Sequence, residues 1–151
     1  MAHIHEKIDF TASVYIVHDN AVFLHLHTKT GKWLPVGGHI ELDEDPNEAV
    51  VREAKEESGL DVELIGPHSE SAENDDERDL IPPRFMNRHH FRVGEPHEHV
   101  DLVYFGRAQG RDVRMEEETD YKWFSRDDLE RADLLPKVRY YALAALAELG
   151  S

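Results

Sequence analysis

The sequence predicts an α/β fold in which a mixed β-sheet lies between helices. Several short segments alternate apolar and polar side chains, a period-two pattern that is typical of strands. A strongly acidic helix is expected in mid-chain, and a helix with an apolar stripe is expected at the end of the chain. No internal repeat or linker interrupts the sequence, so residues 1–151 are predicted to form a single domain around one core.

Three extended segments precede the acidic helix. Residues 8–17 alternate between two faces that are both partly apolar, which predicts a strand covered on both sides. Residues 21–28 predict a second strand, in which Leu24 and its even-numbered neighbours face inward. Residues 33–36 predict a short extended piece, which Pro35 limits to a sheet edge or the start of a strand.

Clear start and stop signals bound the acidic helix. Asp45 is a good N-cap, Pro46 suits the first helical position, and Glu48 lies in the first turn. Gly59 is a typical residue just beyond a helix end. These signals predict a helix over residues 46–58.

The second half of the chain returns to extended segments. Strands are predicted over residues 62–65, 85–93 and 121–124, and the most apolar segment, residues 97–108, is predicted to be central in the sheet. The polar and acidic residues 66–83 between them are typical of a long loop.

Two helices are predicted near the end of the chain. Ser125 caps a short helix over residues 126–131, and Pro136 begins the last helix. The last helix carries an apolar stripe that should pack on the sheet. The stripe consists of Val138, Tyr141, Ala142, Ala145, Leu146 and Leu149.

Charge and composition exclude several classes of function. The chain has 32 acidic and 17 basic residues, a formal net charge of −15, which argues against stable nucleic-acid binding. It has no cysteine, and therefore no disulfide, thiolate zinc site or cysteine nucleophile. The first residues do not resemble a signal peptide, and the longest apolar run, residues 140–146, is too short to span a bilayer. A cytoplasmic protein without membrane association is expected.

Residues 53–57 carry a pattern that predicts a metal site. Glu53, Glu56 and Glu57 are spaced i, i+3 and i+4, so their carboxylates project from one helix face. Like charges this close repel each other, which raises their pKa and costs stability. A divalent cation relieves that cost, and Mg²⁺ and Mn²⁺ prefer such oxygen ligands.

Two further residues, Arg52 and Glu44, are expected to support this site. Arg52 should reach Glu56, Glu44 or Glu48, pointing away from Glu53, and orient a carboxylate through a charge-assisted bond. Glu44 precedes the helix N-terminus, where the helix dipole favours an acid.

The glycine pair before the helix allows close approach of the backbone. A carbonyl at Gly37 is predicted to complete the metal shell.

The whole segment 38–60 resembles the Nudix box. That pattern is Gly, five residues, Glu, seven residues, Arg-Glu, an apolar residue, one residue, Glu-Glu, one residue, Gly and an apolar residue. Every fixed position is matched, with Ala54 and Leu60 at the apolar places. An exposed charge-rich helix would not require Gly38, Glu44, Arg52 and Gly59 at these offsets.

The resemblance implies an αβα sandwich and a metal-dependent pyrophosphohydrolase. In that family, water attacks a phosphorus of a nucleoside diphosphate linked to another moiety, with Mg²⁺ (or Mn²⁺) at the box. Glu56 and Glu57 carry over as metal ligands and Glu53 as ligand or base, and the catalytic group is completed by Arg52 and Glu44 as supports.

Some members of the family take the base from a loop outside the box. Glu117, within the acidic residues 116–118, is the choice here as an additional metal ligand or base. The alternative is a solvated acidic turn.

Substrate contacts are predicted outside the box. His39 follows the glycine pair and is best placed to contact a substrate phosphate, and Arg84 and Arg88 could steer an anionic substrate. The alternative for the arginines is that they offset neighbouring acids. His97 and His99 share one strand face, but the sequence offers no third ligand at zinc spacing, so ordinary surface or substrate-lining histidines are expected.

Two other functions and an oligomeric state stay open at this stage. A Nudix-fold protein that senses a nucleotide without cleaving it is the main alternative, although such proteins often lose box glutamates. A Nudix-fold isomerase would rely on a cysteine that this chain does not have. A homodimer has no readable signature. Specificity is assigned to residues 67–92, residues 116–120 and the strands facing the helix.

Overall fold

A computed structural model describes residues 7–68 and 76–150. The described strands are β1 (Ile8–His18), β2 (Ala21–Leu26), β3 (Trp33–Leu34), β4 (Val36–His39), β5 (Val62–Ile65), β6 (Phe85–Phe91), β7 (His97–Ala108) and β8 (Tyr121–Phe124). The helices are α1 (Pro46–Ser58), α2 (Arg126–Arg131) and α3 (Pro136–Leu149). The predicted α/β class with a mixed sheet is confirmed.

The parallel pair β1 and β7 forms the centre of the sheet. Their register runs from Ile8 opposite Glu98 to Val17 opposite Arg107. On the other edge of β1, β4 pairs antiparallel near its start and β2 near its end. On the other edge of β7, β5 and β6 pair antiparallel at opposite ends. β3 and β8 extend the sheet beyond β2. The central place predicted for residues 97–108 is therefore confirmed.

Helices cover both faces of this sheet. Even-numbered residues of β1, such as Val14, pack with Val50 and Ala54 of α1. Odd-numbered residues, such as Tyr15, pack with the apolar stripe of α3. This alternation follows from the period of two in a strand and gives the αβα sandwich that the sequence predicted.

The boundaries of α1 follow its local sequence. Asp45 and Glu48 form a reciprocal capping box, Pro46 occupies the first turn, and Gly59 ends the helix at φ +76°. The predicted helix over residues 46–58 is confirmed. Among the described residues, no helix is long and apolar enough to cross a membrane.

The strands before α1 differ in detail from the prediction. β2 ends at Leu26, two residues early, where the chain turns. Residues 33–36 do not form one piece, because Pro35 has no N–H to donate and separates β3 from β4. β4 runs on through the glycine pair to His39, which places this pair beside β1.

The long acidic loop predicted over residues 66–83 is described only at its two ends. Residues 69–75 lie outside the described residues, and residues 76–83 form neither helix nor strand. Asn47 of α1 holds this second part through hydrogen bonds of 2.9 Å with the backbone N–H and carbonyl of Ile81.

Candidate active site

Three glutamates of α1 line one cleft, as their helical spacing predicts. Glu53, Glu56 and Glu57, here called the carboxylate site, face a cleft of about 340 Å³. Two more acids, Glu116 and Glu117, line the same cleft from the loop after β7. Five carboxyl groups therefore converge from two separate parts of the chain.

The electrostatics of the carboxylate site favour a bound cation. The pKa of Glu57 is raised from 4.5 to about 8, chiefly by burial and also by the neighbouring Glu53 and Glu56 carboxyls, while the hydrogen bond from Gly37 opposes the shift. Burial also raises the pKa of Glu53, although Arg52 opposes the shift. If these carboxylates are ionised together without a counter-ion, their mutual repulsion destabilises the folded protein. A divalent cation with a preference for oxygen ligands fits them.

Arg52 ties the carboxylate site to the segment before α1. Its Nε and Nη2 donate to the two carboxylate oxygens of Glu44 at 2.6 and 2.9 Å, a bidentate pair. Its Nη1 donates to Glu56 Oε2 at 3.2 Å and also to Glu53 Oε1 at 3.0 Å. The expectation that Arg52 points away from Glu53 is therefore wrong, because its long side chain folds back over the helix. The hydrogen bonds to Glu44 raise the pKa of Arg52 and keep it charged.

Glu48 is one of the three predicted partners of Arg52, but in the structure it has a different role. Its carboxylate accepts the N–H of Asp45 at 3.1 Å within the capping box. Glu44 is the residue that holds the arginine, and the hydrogen bond from Arg52 lowers the pKa of Glu44.

The glycine pair brings β4 against the carboxylates. The N–H of Gly37 donates to Glu57 Oε2 at 3.1 Å. A β-carbon on Gly38 would lie 2.5 Å from Oε1 of Glu53, closer than real side chains approach. Only a residue without a side chain at position 38 leaves the Glu53 carboxylate in its observed place. A metal contact from the Gly37 carbonyl stays a prediction.

Glu117 reaches the cleft because its loop packs on the end of α1. The N–H of Arg114 donates to the carbonyl of Ser58 at 2.8 Å, and the N–H of Glu116 donates to that of Glu56 at 3.1 Å. These bonds satisfy carbonyls that have no partner within the helix. The structure thus brings Glu117 to the carboxylate site, and its role as ligand or base stays a prediction.

Sequence reasoning missed three basic groups in the cleft. His25, His27 and Lys29 line it, and His25 Nε2 lies 3.5 Å from Glu57 Oε2. Burial lowers the pKa of both histidines, and within the described part of the chain Nδ1 of His27 is buried without a hydrogen-bond partner. The alternation of the second strand could have revealed these histidines. Even-numbered residues such as Leu24 pack toward α3, so the odd-numbered His25 and His27 lie on the opposite face, toward α1.

The predicted substrate contacts divide into two groups. His39 lines a second cleft that also includes Glu57, and its ring is 61% exposed. Arg84 is paired with Glu148 at 2.9 Å, and Arg88 is paired with Glu98 at 2.6 Å. Among the described residues that line the two clefts, neither arginine is present. A substrate would have to displace these ion pairs, and the geometry favours the reading that the arginines offset neighbouring acids.

The second cleft borders a group of ligating side chains that the sequence did not reveal, two of which, His39 and His99, line the cleft itself. His97 and His99 meet His39 and Asp9, here called the histidine cluster, with one ligand atom from each lying within 4.8 Å of the others. The sequence spacing around His97 and His99 offers no third ligand, and the register of the sheet brings two further ligating side chains to them from distant parts of the chain. Burial, with the neighbouring histidines, lowers the pKa of His99 from 6.5 to about 4.

A half-buried carboxylate lies in the same cleft. Asp101 accepts hydrogen bonds from Thr11 Oγ1 at 2.9 Å and from Ser13 Oγ at 2.7 Å. Burial raises its pKa, and the two hydroxyls oppose that shift.

Comparison with known proteins gives one family. The model of the NUDIX domain matches residues 8–146. A hydrolase of the NUDIX family from Clostridium perfringens is similar at 38% identity with a TM-score of 0.83, covering 93% of this chain and 97% of that one. No curated protein matches the chain.

Two more distant crystal structures share the fold. An ADP-ribose pyrophosphatase from Streptococcus suis is 19% identical with a TM-score of 0.61, covering 95% of this chain and 92% of that one. A UDP-X diphosphatase is 14% identical with a TM-score of 0.61, covering 97% of this chain and 64% of that one.

Proposed function

The chain belongs to the Nudix hydrolase family, and we propose that it is a Mg²⁺-dependent pyrophosphohydrolase that cleaves a nucleoside diphosphate linked to another moiety. The observation that carries the proposal is the convergence of Glu53, Glu56 and Glu57 in one cleft, with the pKa of Glu57 raised to about 8. Such a site is costly when empty of cations and favourable with one.

The cation would be held by the carboxylate site. Glu53, Glu56 and Glu57 would supply carboxylate oxygens, with Glu117 and the carbonyl of Gly37 as further ligands. Mg²⁺ (or Mn²⁺) lowers the pKa of an attacking water and neutralises charge on phosphoryl oxygens. Among the box residues, Glu53 or Glu57 is the candidate for the group that accepts a proton from that water.

Arg52 and Glu44 act as positioning residues in this proposal. The bidentate pair at 2.6 and 2.9 Å fixes the guanidinium, which in turn fixes Glu53 and Glu56. Positioning of this kind matters because ligands must be oriented before the cation and substrate arrive.

The substrate would enter beside the carboxylates. Lys29 lines both clefts, and His39 lines the second one, so cationic or hydrogen-bonding groups flank the reacting centre. Two proteins of the same fold have names with an adenosine or uridine diphosphate derivative as substrate, which supports this chemical class. Binding of substrate by Arg84 and Arg88 stays a prediction from the sequence. So do the single domain over residues 1–151, the cytoplasmic location, the absence of nucleic-acid binding and a homodimer.

The test is turnover by the purified protein on a panel of nucleoside diphosphate derivatives. With Mg²⁺, release of a mononucleotide, phosphate or pyrophosphate is expected from at least one member of the panel. Glu57→Gln should lower kcat by at least about 10²–10⁴-fold, the range for loss of one acid–base group. Glu63→Gln is the matched control, because Glu63 is an exposed glutamate on β5, and it should keep full activity.

Two results would contradict the proposal. Full activity in Glu57→Gln, or in wild type with EDTA in place of Mg²⁺, would show that the carboxylate site does not carry the reaction. Tight nucleotide binding without turnover across the panel would favour the nucleotide-sensing alternative.

A further inference from the structure

The histidine cluster has the ligands and the spacing of a transition-metal site. One ring nitrogen from each of His39, His97 and His99 and one carboxylate oxygen from Asp9 lie within 4.8 Å of one another. We infer that this cluster binds one Zn²⁺ ion, at a site separate from the carboxylate site. The inference goes beyond the proposed hydrolysis and does not depend on it.

The distances fit tetrahedral coordination. Asp9 Oδ2 lies 3.1 Å from His39 Nε2, 3.2 Å from His97 Nε2 and 3.9 Å from His99 Nε2. The Nε2 atoms of His97 and His99 are 3.0 Å apart. Zinc bonds of about 2.0–2.2 Å at tetrahedral angles place neighbouring ligand atoms roughly 3.3–3.6 Å apart. Only small side-chain movements would therefore be needed to enclose the ion.

Three paired strands hold these ligands on one face of the sheet. Asp9 of β1 is opposite His99 of β7, and His97 lies two residues earlier on the same strand and face. His39 of β4 is opposite Thr11, two residues from Asp9 on the same face of β1. Ligands on paired strands are positioned more rigidly than ligands on loops, which lowers the cost of assembling the site.

The two histidines of β7 are also oriented by their neighbours. Nδ1 of His97 lies 2.7 Å from the carbonyl of Glu95. A carbonyl only accepts, so Nδ1 donates and the lone pair of the neutral ring is left on Nε2, toward the cluster. His99 is 8% exposed, and its ring stacks on Phe91 with centroids 4.5 Å apart. Both rings thus present Nε2 to one point.

Zinc accounts for this group better than two simpler readings. A phosphate cradle would need cationic imidazoles, but the Asp9 carboxylate lies among the three rings and would repel an anion. A plain His–Asp ion pair needs only one imidazole. A hydrogen bond from His99 Nε2 to His97 Nε2 at 3.0 Å would join the other two rings, but it leaves the accepting Nε2 of His97 against the Asp9 carboxylate at 3.2 Å with no proton between them. Mg²⁺ is disfavoured because it prefers oxygen ligands, whereas imidazole suits zinc.

The site adjoins the carboxylate site. His39 and His99 line the same cleft as Glu57 and Gly37. Zinc bound by His39 would fix the end of β4, whose Gly37 N–H contacts Glu57 at 3.1 Å. The ion would therefore hold one wall of the reacting centre.

The test is a zinc titration of the untagged full chain. Protein freed of metal is placed in millimolar Mg²⁺, which occupies the carboxylate site, and Zn²⁺ is titrated against a chromophoric chelator. One tightly bound Zn²⁺ per chain is expected. His97→Ala/His99→Ala should weaken it by more than about 100-fold, because loss of two direct ligands exceeds the 10–100-fold effect of an outer partner.

Three control variants should keep the wild-type zinc affinity. Glu57→Gln removes a ligand of the carboxylate site, and His90→Ala removes an exposed histidine of β6 outside the cluster. His3→Ala/His5→Ala removes two histidines near the start of the chain. Unchanged zinc binding in His97→Ala/His99→Ala, or its loss in any of these three controls, would overturn the inference.

Two further measurements decide the matter if the double variant does not fold. His39→Asn changes a ligand that is 61% exposed at the end of β4, so the fold should persist while zinc binding weakens. Co²⁺ in place of Zn²⁺ should give the strong visible absorption of a four-coordinate ion in wild type and in Glu57→Gln. Only the weak bands of a six-coordinate ion, or wild-type affinity in His39→Asn, would refute the site.

Discussion

The carboxylate site and the histidine cluster lie on opposite faces of β4 and are built in different ways. On one face, Gly38 touches Glu53 of α1, and on the other, His39 joins Asp9 of β1. The carboxylate site takes its three glutamates from two turns of a single helix. The histidine cluster takes its four ligands from three strands, and they span residues 9–99.

This difference separates the two regions chemically. Three carboxylates form a hard oxygen site that suits Mg²⁺, while imidazoles with one carboxylate suit zinc. The two sites also form in different ways. Residue spacing within α1 positions the carboxylate site, whereas the register of three strands positions the histidine cluster. Although the two regions adjoin in one cleft, changes confined to α1 or to one face of β4 should therefore alter the ligands of one region and leave those of the other in place.

The largest such effect is expected from Gly38→Ala. The added β-carbon would lie 2.5 Å from Oε1 of Glu53 and force that carboxylate aside. A displacement of about 1 Å at a reacting centre can cost about 10²-fold in rate, so kcat with Mg²⁺ should fall by that amount. Zinc binding at the histidine cluster should stay unchanged, because His39 points to the other face. Steady-state kinetics and the zinc titration measure the two outcomes.

Gly110→Ala is the matched control for this change. A β-carbon at Gly110 meets nothing within 4 Å, so activity and stability should stay at wild-type values. Normal kcat in Gly38→Ala would mean that Glu53 does not need its observed position. Loss of zinc binding in the same variant would mean that the two faces of β4 are not independent.

A smaller effect is expected on the pH dependence of stability without metal. The pKa of Glu57 is raised from 4.5 to about 8 by burial, so folding favours its protonated form. That contribution is present below pH 4.5 and is lost as pH rises through about 8. Between pH 6 and 8.5 in EDTA, the free energy of unfolding of wild type should fall by about 1–2 kcal/mol more than that of Glu57→Gln, after allowance for solvent screening. Thermal unfolding of both proteins at several pH values measures the difference.

Mg²⁺ should remove most of that loss in wild type, because the cation replaces the proton as the partner of the carboxylates. Parallel pH profiles for wild type and Glu57→Gln in EDTA would contradict a cost of ionisation at Glu57. Recovery by Zn²⁺ at the histidine cluster alone would contradict the separation of the two regions.

The smallest effect is expected from Asp45→Ala. Asp45 accepts the N–H of Glu48 at 2.8 Å and caps α1, which carries the carboxylate site. Loss of an N-cap costs about 1 kcal/mol, roughly 2–4 °C in Tm for a chain of this size. More Mg²⁺ should be needed for half-maximal activity, while zinc affinity should not change, because no ligand of the histidine cluster lies on a helix. An unaltered Tm and Mg²⁺ requirement would indicate that α1 does not depend on this cap.

The sequence predicts the carboxylate site better than the histidine cluster, because the first depends on the spacing within one helix and the second on the register of the sheet. The bounds of α1, the convergence of Glu53, Glu56 and Glu57, and the pair of Arg52 with Glu44 are local features, visible within about fifteen residues. The contact of Arg52 with Glu53 was mispredicted, because helical spacing does not describe how a long side chain folds back. Arg84 pairs with Glu148, which is distant along the chain, and Arg88 pairs with Glu98 on the neighbouring strand. The sequence alone therefore left the role of both arginines open.

The sequence by itself determined the fold class, the family and the grouping of three carboxylates on one face of α1. Those features depend on periodicities of two and 3.6 residues and on caps, which act over short distances along the chain. Only the tertiary structure decided that Asp9 and His39 join His97 and His99, and that Glu117 reaches the cleft. Strand order and register bring such residues together, and they are set by packing of the whole sheet between its helices.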